Sequence, residues 1–304
     1  MSDTPTQKRP RTPETATGPA ASRRDEAGAR PGESGPPPVP DARGARSLRD
    51  IFHRLLPAVG VVLAILLFEF IPRAGLVDER FLPPATAMLA SLGEQVADGS
   101  IWQPVGQTLQ GWALGLGLAL AIALPLGTLI GSVFLLFMAS RSIVEFLRPV
   151  PSVALIPLAV LLFGAGLESK VFLAAFAATW PILLQTLYGV RDVDPVAVET
   201  ARSFGISAPR RLLRVTLPNA LPYIMTGVRI SSAVALILAV TAELVLGAPG
   251  LGQQINIARQ SAAVELMYGL IIATGLIGWG LNVLATLLER RLLHWHPSQR
   301  ERAR

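Results

Sequence analysis

Six long apolar runs constrain the fold of this chain more than any other feature. They cover residues 55–71, 109–133, 153–167, 171–190, 224–246 and 266–288. A helix that crosses the hydrocarbon core of a bilayer needs about 20 mostly apolar residues, and four of the runs reach that length. The first and third runs are shorter and would need tilt or local thinning of the bilayer. The pattern predicts an all-α, polytopic membrane protein with about six transmembrane helices.

The composition agrees with a lipid environment and excludes several kinds of chemistry. Hydrophobic residues make up 51% of the 304 residues and charged residues 16%, against about 25% charged residues in a typical soluble domain. The absence of cysteine excludes disulfides, thiolate metal sites and a cysteine nucleophile. The three histidines form no HExxH pattern. We therefore expect no catalytic, cofactor-binding or metal site, and no enzyme.

Residues 1–48 differ in composition from the remainder and predict a disordered, cytoplasmic tail rich in proline and arginine. They contain nine prolines and no Phe, Trp, Tyr or Ile, so they cannot bury enough apolar surface to offset the entropy of ordering. A basic arm that binds nucleic acid or anionic lipid is the alternative. The charges are mixed, because Asp25-Glu26 follow Arg23-Arg24, and we expect no nucleic-acid partner. The transmembrane domain then comprises residues 49–304.

Arginine placement predicts the orientation in the membrane. Four arginines lie in residues 43–54, five in 191–214 and five in 290–304, whereas the other loops are poor in basic residues. Basic loops remain on the cytoplasmic side. Six crossings with both termini in the cytoplasm place every basic segment inside, in a bacterial inner membrane. Residues 134–147 are apolar but charged in places; an interfacial or re-entrant helix is favoured there over a seventh crossing.

Two pairs of glycines in the second run have GxxxG spacing. Gly111 and Gly115 form the first pair, and Gly127 and Gly131 form the second. Such spacing lets two helix backbones approach closely. We interpret it as packing between helices of this chain, rather than as a seam between two copies.

The loop at residues 191–222 predicts a helix–turn–helix outside the membrane. Asp194-Pro195 is typical of a helix start, and Gly205 is typical of the left-handed residue that ends a helix. Ser207 is positioned to cap a second helix, with Pro209 in its first turn. We expect Pro218 and Pro222 to break the chain before the fifth run.

This loop resembles the EAA motif of the permease subunits of bacterial ABC importers, EAA-x(3)-G-x(9)-I-x-L-P. The spacing matches throughout, and the matching residues are Glu199, Thr200, Ala201, Gly205, Val215, Leu217 and Pro218. Thr200 replaces alanine and Val215 replaces isoleucine. The resemblance implies that these residues form the contact with a separate ATPase.

Three further segments resemble the taurine, alkanesulfonate and nitrate branch of these permeases. They are Pro149–Leu158, Phe163–Gly166, and Ala242-Glu243 followed by Gly250–Gly252. Gln110 departs from the arginine expected in many relatives. The resemblance covers residues 50–290 and marks residues of a possible pathway or gate, namely Pro151, Pro157, Glu243, Gly250 and Gly252. Within the third run, Pro151 and Pro157 would also kink a helix and free backbone carbonyls.

The resemblance implies a MetI-like permease fold and a division of labour among subunits. Two permease subunits, expected to be a homodimer, would form the pore in the lipid bilayer. Two ATPase subunits would hold ATP and Mg beneath it, and an extracytoplasmic solute-binding protein would deliver the substrate. The expected substrate is an alkanesulfonate or taurine, and nitrate or a similar small solute is the next candidate.

The alternative function is an ion-coupled secondary transporter that uses Glu243. Of the two lysines, Lys8 and Lys170, neither lies in a P-loop, so this chain would not bind ATP in that way. Glu243 lies deep in the fifth run and has no obvious basic partner in the sequence. We expect a structural role for it, through hydrogen bonds to backbone at the following turn. A membrane-embedded enzyme lacks any catalytic constellation.

Overall fold

The computed structural model describes residues 43–147 and 150–293. Most of the predicted tail (residues 1–42), Pro149 of the resembling segment, and residues 294–304 lie outside the described residues. The chain divides into two units, Met1–Leu56 and Pro57–Arg304. In the first unit the backbone is helical from Arg43 onward, so the helix begins before the predicted tail boundary at residue 48.

Helices make up nearly all of the described chain, and no strand occurs within those residues. The eleven α-helices found there are α1 Arg43–Arg73, α2 Ala85–Ala97, α3 Trp102–Ser132, α4 Phe134–Leu147, α5 Ile156–Phe163, α6 Leu167–Arg191, α7 Pro195–Ser203, α8 Ala208–Arg211, α9 Leu217–Leu246, α10 Leu251–Gln260 and α11 Val264–Leu292. A 3₁₀ turn, Ser152–Leu155, precedes α5, and a π-helical turn, Leu212–Thr216, joins α8 to α9. The predicted all-α class is confirmed.

Among the described residues, four helices are long and apolar enough to cross a membrane. They are Trp102–Ser132, Leu167–Arg191, Ala208–Leu246 and Val264–Leu292. They contain the second, fourth, fifth and sixth apolar runs of the sequence. The first run lies in α1, whose backbone is helical over 31 residues.

The third apolar run does not form one helix, which corrects the prediction for Pro151 and Pro157. Pro151 precedes the Ser152–Leu155 turn, and Pro157 lies in the first turn of α5. Proline is tolerated in a first turn because its missing N–H would have no helical partner. Gly164 ends α5 with φ 76°. Neither proline therefore kinks a helix interior, and the run yields an α-helix of 8 residues.

The expected break before the fifth run is also wrong. The chain stays helical from Ala208 to Leu246. Pro218 lies in the first turn of α9 and Pro222 lies inside that helix. The wide turn at Leu212–Thr216 precedes both prolines, and π-turns are places where a helix absorbs an irregular hydrogen-bond pattern. The second half of the predicted helix–turn–helix is thus the beginning of a membrane-length helix.

The four GxxxG glycines of α3 pack against α6, as predicted for contacts inside the chain. A Cβ at Gly111 would meet the Lys170 side chain, and one at Gly115 would meet Ala174. The two later glycines face Thr186 and Val190 in the same way. Small residues therefore let the backbones of α3 and α6 approach each other closely over most of the length of the two helices.

The segment 134–147 forms α4, with an ion pair of 2.9 Å between Arg141 and Glu145 on its exposed surface. At 14 residues the helix is about 21 Å long, which is shorter than the roughly 30 Å of a bilayer core. The contacts of α3 with α6 show that these two helices run in the same direction, so residues 133–166 must return across the membrane between them. Helix α4 packs along α6 and is part of that return, which does not favour the interfacial helix; the crossing number stays a prediction.

Candidate functional site

Helix α7 begins where the sequence predicts. Pro195 is its first residue, and the Asp194 carboxylate accepts a hydrogen bond of 2.8 Å from the backbone N–H of Val196. A side-chain acceptor at this position satisfies one of the backbone donors that a helix start leaves free. The helix start is therefore fixed by two adjacent residues.

The end of α7 is fixed by Gly205, which adopts a left-handed conformation with φ 73°. Its N–H donates to the carbonyl of Arg202 at 2.9 Å, and the Ile206 N–H donates to the carbonyl of Ala201 at 3.1 Å. These two bonds form a Schellman motif, which satisfies carbonyls at a helix end. The predicted role of Gly205 as the helix-ending residue is confirmed.

Ser207 stands before α8 as predicted, but its side chain makes no capping hydrogen bond. Its backbone carbonyl accepts from Arg211 instead, at 2.9 Å. Because α8 has four residues and runs on through Leu212–Thr216 into α9, only residues 204–207 separate α7 from the continuous helix Ala208–Leu246. Helix α7 thus lies close to the start of the longest continuous helix in the described residues.

The EAA residues divide into an exposed and a packed group. Glu199 and Thr200 are exposed on α7, and Ala201 is buried beneath them. Val215 in the π-helical turn, and Leu217 and Pro218 at the start of α9, are half-buried. Three large apolar side chains of the loop 191–222 are exposed, Val196 at 67%, Phe204 at 81% and Leu213 at 64%. Exposed apolar residues beside a capped helix are typical of a contact with another protein.

A buried ion pair lies near the opposite end of α6, remote in sequence from the EAA segment. Lys170 Nζ and Glu243 Oε1 are 2.8 Å apart, and the side chains are 2% and 0% exposed. The lysine also donates to the carbonyls of Gln107 and Pro249, each at 2.9 Å. All three ammonium hydrogens therefore have acceptors, as a buried lysine requires.

The Glu243 carboxylate is equally well satisfied. Its Oε2 accepts from Thr108 Oγ1 and from the backbone N–H of Gly252, each at 2.9 Å. Thr108 Oγ1 in turn accepts from the Leu251 N–H at 2.9 Å. One network thereby joins α3, α6 and α9 to the first turn of α10. The expected hydrogen bond from Glu243 to backbone at the following turn is confirmed.

Three glycines, Gly111, Gly250 and Gly252, lie against this network at positions where a Cβ would be too close to neighbouring atoms. A Cβ at Gly250 would overlap the Glu243 carboxylate, and Gly250 also has φ 153°. A Cβ at Gly252 would meet the Val240 carbonyl and the Glu243 side chain, and one at Gly111 would meet Lys170. Gly250 and Gly252 thus lie together with Glu243, as the resembling segments place them.

Sequence reasoning missed Lys170, and the expectation that Glu243 lacks a basic partner is wrong. A lysine directly before a long apolar run, in a chain with two lysines, is the signal that could have pointed to it.

Pro151 is not part of this network. It lines a separate cavity of about 470 Å³ between the Ser152–Leu155 turn, α6 and α9, and Pro157 lies in neither site.

In the part of the chain that the structure describes, no three His, Cys, Asp or Glu residues are grouped so as to hold a metal ion. The features that stand out are a rigid exposed loop helix, a satisfied buried network and membrane-length helices between them. Together they define a membrane-spanning subunit with a surface for a separate protein.

Comparisons with known proteins agree with this class. Residues 119–294 match the family described as "Binding-protein-dependent transport system inner membrane component". The taurine transport system permease protein TauC of Escherichia coli (strain K12) is 34% identical, over 73% of this chain and 82% of TauC. The aliphatic sulfonates transport permease protein SsuC of the same organism is 32% identical, over 79% of this chain and 90% of SsuC.

Solved structures show the same fold. A chain of the MetNI methionine ABC transporter, in an inward-facing conformation, superimposes with a TM-score of 0.55 at 20% identity. The match covers 62% of this chain and 94% of that one. The fold is therefore MetI-like, as the sequence predicts.

The chain belongs to the family of inner-membrane components of binding-protein-dependent transport systems. It is the permease subunit of an ABC importer, a transport component and not an enzyme. An importer of this kind works with an ATPase and a solute-binding protein. Nothing supports the ion-coupled alternative, and the residue that it would use, Glu243, is held in a closed ion pair.

Proposed function

We propose that two copies of this chain form the translocation pathway of an importer for small organic sulfonates. Support for the substrate comes from the two relatives, which are named for taurine and aliphatic sulfonates. Nitrate is the nearest competitor among small oxyanions. ATP and Mg belong to a separate pair of ATPase subunits, and this chain binds no cofactor.

The observation that carries the coupling role is the construction of α7. Its start is capped by Asp194 and its end by the Gly205 turn, so the helix moves as a rigid body. Glu199, Val196 and Phe204 are exposed on it and at its end. A short rigid helix with an apolar and acidic surface suits a cleft on the ATPase, and Thr200, Ala201, Val215, Leu217 and Pro218 set its position.

The route from this contact to the opposite side of the membrane follows one helix. The segment Ala208–Leu246 has 39 residues and is about 58 Å long, so displacement at α7 reaches the far end of α9. Glu243 lies there and is bonded to Lys170 of α6 and to Gly252 of α10. ATP-driven closure of the ATPase pair would thereby shift α9 and its attached turn together, which opens or closes the pathway.

Orientation follows from the basic segments. With α7 in the cytoplasm, the Lys170–Glu243 network lies toward the extracytoplasmic side, where the binding protein docks. Six crossings place both termini in the cytoplasm, with residues 1–42 as a tail of the bacterial inner-membrane subunit. Pro151, Gly250 and Gly252 would lie along the pathway or its outer gate, together with Pro157 and Glu243.

The substrate class is tested with the cognate binding protein and the assembled transporter. Calorimetric titration of the binding protein with taurine, hexanesulfonate and nitrate gives its ligand, and uptake of that ligand by vesicles carrying the permease and ATPase gives the cargo. We expect sulfonate binding and sulfonate uptake. Selective binding and uptake of nitrate, or of a solute without a sulfonate group, would contradict the proposed substrate.

A further inference from the structure

The cavity beside Pro151 has a mixed lining that membrane packing does not explain. It measures about 470 Å³, and its polar lining residues include Ser152, Trp180 and Gln185. Aliphatic side chains of α9, such as Ile230 and Leu238, form its other wall. This volume is within the range of about 300–1,000 Å³ that small-molecule sites occupy.

The cavity begins at mid-membrane depth. Trp180 is 13 residues from the start of α6 and 11 from its end, which is about 20 Å and 16 Å along the helix. A polar side chain at that depth is costly in contact with lipid and is tolerated where it lines a pathway. The lining on α6 continues to Tyr188, so the cavity extends from mid-membrane toward the end of α6 that precedes α7.

Two polar side chains of the lining have no protein partner. The amide of Gln185 and the hydroxyl of Ser152 make no hydrogen bond to any residue that the structure describes, and both side chains are partly exposed. Trp180 Nε1 and Thr186 Oγ1 are also unpaired, but both atoms are fully buried and are not open to the cavity. By contrast, Thr179 donates to the backbone of Ala175 at 2.7 Å and Ser231 to that of Ala178 at 2.6 Å. A polar ligand in the cavity can therefore reach Gln185 and Ser152.

We propose that this cavity is a passage site for the sulfonate, an inference that rests on the proposed function. The amide of Gln185 and the hydroxyl of Ser152 supply hydrogen-bond donors. Sulfonate oxygens are acceptors, and the alkyl part of the molecule matches the aliphatic wall of α9. No charged side chain lines the cavity among residues 43–147 and 150–293. Neutral donors hold an anion weakly enough for it to leave, which a transport site requires.

The test compares Gln185→Met with Gln110→Met in vesicles that carry the permease, its ATPase and its binding protein. Gln110 is exposed on α3, outside the cavity, so its variant controls for the chemical change. Uptake of labelled hexanesulfonate and ATP hydrolysis are measured in the same vesicles. We expect Gln185→Met, alone or with Ser152→Ala, to lower hexanesulfonate transported per ATP by about tenfold, the effect of losing one or two hydrogen bonds. Hydrolysis stimulated by the loaded binding protein should stay unchanged, as should both rates in Gln110→Met.

Two outcomes in the variants would overturn the site. An unchanged ratio in the Gln185→Met/Ser152→Ala double variant would show that the cavity does not contact the cargo. Equal losses of uptake and hydrolysis would show that these side chains support packing or coupling instead. A wild-type complex that takes up nitrate but neither taurine nor hexanesulfonate would contradict the proposed substrate class itself, and the sulfonate site would be wrong with it.

Discussion

At the scale of single residues, Gly205 isolates the effect of backbone conformation. Its φ is 73°, and a Cβ there would meet nothing within 4 Å, so a substitution causes strain without a clash. Gly205→Val should cost about 1–2 kcal/mol or more of local stability and misdirect the chain after α7. We expect normal membrane insertion and loss of ATPase recovery when the tagged permease is purified.

Gly205→Asn is the matched control, because asparagine tolerates the left-handed region better than other residues with a Cβ. It should retain most of the ATPase. Equal recovery with the valine and asparagine variants would show that the conformation at Gly205 does not govern docking.

The Lys170–Glu243 pair makes a second prediction at this scale. Lys170→Met leaves a buried carboxylate without its counter-ion, and breaking such a pair costs about 3–5 kcal/mol. The double variant Lys170→Met/Glu243→Gln removes both charges and should recover much of that loss. Thermal unfolding of the purified permease, followed by size-exclusion chromatography, measures both. A double variant that is no more stable than Lys170→Met would mean that the two side chains do not act as a pair.

Local turn chemistry was readable from the sequence, whereas this pair was not. At Asp194, Pro195 and Gly205, the residue's own side chain, or the lack of one, is sufficient to predict the local backbone conformation. Lys170 and Glu243 are 73 residues apart, and their contact depends on how α6 packs against α9. Ser207 shows the limit of local reasoning, since it occupies the cap position without making the cap bond.

At the scale of elements, α7 is the helix whose surface the account assigns to the ATPase. Glu199 is exposed in its middle, so reversing its charge changes the surface of the helix without disturbing either cap. Glu199→Lys should weaken ATPase recovery without disturbing insertion. Glu94→Lys reverses an exposed charge on α2 and should leave recovery unchanged. Full recovery with Glu199→Lys would remove α7 from the contact.

Long apolar runs gave four membrane-length helices, and the errors fell where runs are short or contain proline. The third run contains Pro157 near the start of α5 and Gly164 at the end of that helix, so it could not continue as one span. Pro222 was wrongly expected to break the chain before the fifth run. That prediction considered only the free energy that a proline costs inside a helix, and not the packing of α9 against its neighbours. The short helices α2 and α10 carry no long apolar run and were not predicted.

At the scale of the whole molecule, the account predicts which loops face the cytoplasm. The chain has no cysteine, so single-cysteine variants can be labelled without background. Ser100→Cys, between α2 and α3, should react with a membrane-impermeant maleimide in intact cells. Ser203→Cys, at the end of α7, should react after the membrane is opened. Reversed accessibility of the two positions would contradict the orientation.

The family was readable because the EAA spacing in residues 199–218 is a local pattern, and the family match over residues 119–294 agrees with it. The cargo was not readable in the same way. Selectivity in such systems resides partly in a binding protein that this chain does not contain, and the cavity lined by Ser152 and Gln185 forms only where the Ser152–Leu155 turn, α6 and α9 pack together.

The central claim is that this chain moves solute by coupling to ATP hydrolysis on another subunit. The direct measurement is uptake by vesicles containing the permease and its ATPase, with binding protein and substrate outside and ATP inside. We predict uptake that requires ATP and the binding protein, persists when proton and sodium gradients are collapsed, and is lost in Gly205→Val. Uptake that proceeds without ATP and stops when either gradient is collapsed would contradict the account.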